Sequence, residues 1–78
     1  MTKHEILTQA LETRQQEIMG YQINIDNYTL AIAHIEKSGD ADLTDFCEKL
    51  KASLVTEKLE QKKAMVISFV IQQQLETL

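Results

Sequence analysis

Three side chains of this 78-residue chain belong to the types that hold soft metals or act as nucleophile and base: His4, His34 and Cys47. Zinc requires three or four such ligands, usually with two of them one helical turn apart or in a Cys-x-x-Cys pair. No pair here has either spacing. Folding the chain at its middle brings His34 towards Cys47, but two ligands fall short of a site. A Cys–His nucleophile pair would also need an oxyanion-binding loop, and the only glycines are Gly20 and Gly39, far apart in sequence. Two isolated glycines likewise exclude phosphate and dinucleotide loops. No catalytic residue, cofactor or metal is expected, and the chain reads as a non-enzyme.

The charged residues give weaker signals. The segment "DADLTD" places Asp40, Asp42 and Asp45 at relative positions 1, 3 and 6. A calcium loop wants acids at 1, 3 and 5, Gly at 6 and Glu at 12, where this chain has Lys51. Helix capping explains these acids better, because carboxylates at a helix start accept from free N–H groups and complement the dipole. The net charge is −4. Five acids and one base lie between Glu36 and Glu48, while the rest of the chain carries seven of each. The whole excess is therefore local, and it makes Asp40, Asp42 and Asp45 the best candidate for an exposed contact with a partner. Lys51, Lys58 and Lys62 share one side of the second half, with Lys49 and Lys63 nearby. Glu48, Glu57 and Glu60 interrupt them, as on an ordinary solvated helix face. A nucleic-acid-associated dimeric regulator is thus the alternative reading, not the main one.

These residues must be positioned by some set of elements, and composition narrows the choice. The chain has no proline, 44% hydrophobic residues and only 5% aromatic ones, which suits long helices rather than a turn-rich sandwich. "KSGD" (37–40) is the strongest break, with Gly39 suited to a left-handed helix end and an acid ready to cap the next helix. "TKHE" (2–5) reads as a capping box. These signals predict one domain, 1–78, with a first helix over about 3–37, a turn at 38–41 and a second helix over about 42–76.

Residues 20–35 carry two competing periods. Tyr21, Ile23 and Ile25, then Tyr28, Leu30 and Ile32, alternate as in a β-hairpin turning at Asp26 and Asn27. The alternative fold is therefore a helix, a β-hairpin and a helix. The seven-residue spacing runs further: Leu11, Ile18, Ile25 and Ile32 at one position, and Leu7, Arg14, Tyr21, Tyr28 and Ile35 at another. Eight of these nine are apolar or aromatic, and Arg14 can extend its charge to solvent. The longer pattern favours one continuous helix with coiled-coil-like packing.

The second half continues with Leu43, Leu50, Glu57, Ala64, Ile71 and Leu78, and with Cys47, Leu54, Gln61, Ser68 and Leu75. Its middle is polar, and then "AMVISFVI" (64–71) is apolar around most of the helix. In an antiparallel hairpin closed at Gly39, residue i lies near residue 79 − i. Ala10 and Leu11 then cannot cover Met65, Val66, Phe69 and Val70, and Met19, Ile23 and Leu30 form a further apolar edge. A helix apolar on several sides must be covered on several sides. The expected architecture is an all-α antiparallel two-helix hairpin that self-associates into a homodimeric four-helix bundle. Leu11, Ile18, Ile25, Ile32, Met65, Val66, Phe69 and Val70 would carry association.

The expected function is a small non-catalytic protein-interaction module, an adaptor, assembly factor or inhibitor, binding itself and another protein. A phage-type accessory protein antagonising a host factor is a variant of that reading. The apolar run is far below the roughly 20 residues that span a bilayer. A single cysteine and the absence of a signal-peptide pattern near the first residues suggest a cytoplasmic protein.

Overall fold

A computed structural model describes all residues, Met1–Leu78, as two antiparallel helices: α1, Lys3–Ser38, and α2, Thr44–Glu76. Thr2 caps α1, its hydroxyl oxygen accepting from the Glu5 N–H at 3.1 Å while its O–H donates to the Glu5 carboxylate at 3.3 Å. Glu5 also brings a negative charge to the positive end of the dipole. At the other end Gly39 sits at φ 65°, ψ 21°, and its N–H donates to the Ile35 carbonyl at 3.1 Å. A short 3-10 turn, Ala41–Leu43, then leads into α2. Asp40 caps that turn by accepting from the Asp42 N–H at 3.0 Å. The break predicted at "KSGD" is therefore where the chain reverses, and the second α-helix starts a little later than residue 42.

Residues 21–33 lie wholly within α1, and no residue is in a strand. The β-hairpin alternative is thus excluded. Asp26 and Asn27 continue the helix, and the Gln22 amide donates to the Asp26 carboxylate one turn on, at 2.9 Å.

The two heptad rows form the contact between the helices. Ile25 and Ile35 of α1 and Cys47, Leu50, Ala64, Ser68 and Ile71 of α2 are the buried residues. Near the turn, Ile35, Cys47 and Leu50 pack with Tyr28, Ala31, Ile32 and Leu43. The polar waist finds partners across the hairpin. The Gln61 amide donates to the Ile18 carbonyl at 3.3 Å and to the Gln22 side chain at 2.9 Å. The Asn24 amide donates to the Glu57 carboxylate at 3.3 Å. These bonds tie the half-buried Gln61 and Glu57 to α1, so the two helices stay joined where the apolar heptads are interrupted. Arg14 is half-buried on the seam and reaches Glu17 at 3.1 Å.

The molecule measures 56 × 15 × 15 Å. A 36-residue helix at 1.5 Å per residue is about 54 Å long, so the rod is one helix long and two helices wide. Its core is thin: seven of 78 residues are buried, and no large side chain is completely enclosed.

Candidate functional site

Cys47 is buried in the cluster beside the turn, against Ile35 and Leu50. His34 and His4 are exposed on α1. No three His, Cys, Asp or Glu side chains come together as a metal-holding group. Cys47 therefore serves as a small apolar residue in packing, the usual role of a buried free thiol.

Asp40, Asp42 and Asp45 are all exposed around the turn. Beside them an open depression is lined by Glu36, Asp40, Glu48 and Lys51 among others. Lys51 carries the charge network here, with its Nζ 3.1 Å from Glu36 on α1 and 3.4 Å from Glu48 on α2. The hydrogen bond to Glu36, then that to Glu48, raises its pKa above the ordinary 10.5. Lys63 similarly pairs with Glu60 at 3.0 Å. The lysine side of α2 is thus partly neutralised by its own carboxylates.

The apolar surface is the larger feature. Of the residues expected to carry association, Ile25 is buried and Leu11, Ile18 and Ile32 are half-buried between the two helices. That row is used inside the hairpin. Met65, Val66, Phe69 and Val70 are exposed, Val66 by 61% and Phe69 by 58%. The reason is local. In "AMVISFVI" the α1-facing positions are Ala64, Ser68 and Ile71, at spacings of four and three, so the larger residues between them turn outward. Met19, Ile23 and Leu30 form an exposed edge on α1. Val55 and Leu59 are exposed on α2 as well, although neither stands out as a surface residue in the sequence. Their spacing of four was the available signal, hidden among the surrounding charges of "VTEKLEQKK" (55–63).

Such a surface can exclude water against another apolar face. No helix is long and apolar enough to cross a membrane. No family model, curated protein or solved structure matches the chain.

Proposed function

We propose that the protein is a small non-catalytic protein-interaction module that works as a homo-oligomer. Two hairpins packed as a four-helix bundle are the smallest assembly in which an apolar α2 side is covered by a second copy. The single observation that carries this reading is the exposed row Met65, Val66, Phe69 and Val70 on a rod with a thin core. Contiguous apolar surface of this kind on a soluble chain usually marks an interface. Small folds with few buried residues commonly gain stability by oligomerising. The acidic turn at Asp40, Asp42 and Asp45 remains free in such an assembly and is our candidate contact for a different, basic protein partner. In that role the chain acts as an adaptor, assembly factor or inhibitor by occupying a partner's surface. A reducing, cytoplasmic setting suits its lone, unpaired Cys47.

Light scattering after size exclusion tests the reading on the full chain. Wild type should elute with a mass at least twice that of one chain, and Phe69→Asp should shift it towards one chain or unfold it. Phe69 is exposed in the hairpin, so the substitution spares the intramolecular core. A wild-type protein with the mass of one chain at all concentrations overturns the proposal.

A further inference from the structure

The backs of the two helices carry the same pattern with opposite charge. On α1 the exposed residues Met19, Ile23, Asp26, Leu30 and Ala33 follow one another at steps of four, three, four and three. On α2 the exposed residues Val55, Leu59, Lys62, Val66 and Phe69 follow at the same steps. Alternating steps of three and four place each set in a single stripe, the spacing by which coiled-coil partners interlock. Each stripe is thus a second seam, on the side of its helix not used by the hairpin. Both are apolar at four positions, and the charged residue stands at the centre: an acid on α1, a base on α2. Neither charge has an ion-pair partner within the hairpin, whose ion pairs are Arg14–Glu17, Lys51–Glu36, Lys51–Glu48 and Lys63–Glu60.

We infer that the stripe on α1 of one copy docks against the stripe on α2 of a second copy, with Asp26 paired to Lys62. The inference rests on the self-association proposed above and names its surfaces. Laid in the same chain direction, the two stripes match without a gap. Met19 meets Val55, Ile23 meets Leu59, Asp26 meets Lys62, Leu30 meets Val66, and Ala33 meets Phe69. Small Ala33 opposite large Phe69 allows close approach of the backbones. Charge selects this pairing over the two symmetric ones. Joining α2 to α2 in register sets Lys62 against Lys62, with Lys58 and Lys63 close by; joining α1 to α1 sets Asp26 against Asp26. Like charges enclosed in a seam disfavour a pairing strongly, whereas an enclosed opposite pair fixes partner and register. The contact uses two different surfaces, so it is head-to-tail. Two joined hairpins make a four-helix unit that still offers one unused stripe at each end, and further copies can add.

Charge reversal separates this pairing from its alternatives. Sedimentation velocity is run over a range of concentrations on wild type, Asp26→Lys, Lys62→Asp, the double variant and a 1:1 mixture of the single variants. Both residues are exposed and lie outside the packed seam, so the charge reversals leave the core of the hairpin unaltered. The expected result is assembly of wild type, loss of assembly in each single variant alone, and recovery in the double variant and in the mixture. Recovery in the mixture is the decisive arm, because each single variant supplies the charge the other lacks at both stripes. Wild-type assembly left unchanged by Asp26→Lys overturns the head-to-tail pairing, in favour of an α2-to-α2 contact, and leaves self-association standing. A wild type that stays a single chain throughout overturns both.

Discussion

Gly20 and Gly39 are the only glycines, and the structure gives them opposite roles. Gly39 holds the left-handed conformation that ends α1, at φ 65°. A side chain with a β-carbon is strained there, by roughly 1–2 kcal/mol. Gly20 lies in the interior of α1, and an added β-carbon would meet no atom within 4 Å. In an exposed helix interior, glycine costs roughly 0.5–1 kcal/mol relative to alanine, through the freedom it has when unfolded. Gly20→Ala should therefore raise the melting temperature, by roughly 4 °C for a domain of this size. Gly39→Ala should lower it by at least a comparable amount. Circular dichroism melts of the two variants check both signs. A lower melting point for Gly20→Ala would place another surface against that side of α1 in solution, since nothing within the hairpin opposes the methyl group.

Between the elements, the turn end is fixed by both packing and charge. Ile35, Cys47 and Leu50 close the core there, and Lys51 of α2 reaches Glu36 of α1 at 3.1 Å. Because its folded pKa is raised, Lys51 binds its proton more tightly in the folded state than in the unfolded one. The resulting stabilisation is complete below pH 10.5, the ordinary lysine value, and disappears as pH rises through the higher folded value. Wild type should thus melt slightly above Lys51→Gln at pH 8, with the gap closing at more alkaline pH. The side chain is solvent-exposed, so the gap will be small and will shrink in salt. A gap that persists unchanged at high pH would assign it to the lysine's alkyl stem. This pair was not legible in the sequence. Lys51 reads there as one of several lysines on a solvated face, and only the closed hairpin brings Glu36 beside it. The helices themselves were legible, because Leu11, Ile18, Ile25 and Ile32 repeat at seven while the competing alternation stops after six positions. The turn was legible at Gly39. The polar waist was visible as an interruption, but its reason was not: Gln61 and Glu57 bond to groups on α1 that lie far away in sequence. The exposed stripe on α2 was half legible. "AMVISFVI" announced Val66 and Phe69, while Val55 and Leu59 were masked by the charged and polar residues around them.

At the scale of the whole rod, width is the limiting dimension. Two helices side by side, 56 Å long and 15 Å across, give each side chain one neighbouring helix instead of the two or three of a larger bundle. That is why only seven residues are buried and no large side chain is completely enclosed, while Leu30, Val55, Val66 and Phe69 are more exposed than buried. Domains of this size are marginal even when well packed. Burying the exposed stripes between copies adds apolar contact without lengthening the chain, and it ties folding to concentration. If folding and association are coupled, each tenfold increase in protein concentration favours the assembled state by about 1.4 kcal/mol per pair formed. Divided by the unfolding entropy of two such chains, that is a rise in melting temperature of roughly 4 °C per decade. Thermal melts across two decades of concentration should therefore move steadily upward, and Phe69→Asp should flatten the trend as well as lower the curve. A melting temperature independent of concentration in the wild type would mean that one hairpin holds itself together, and that its outer stripes stabilise nothing on their own account.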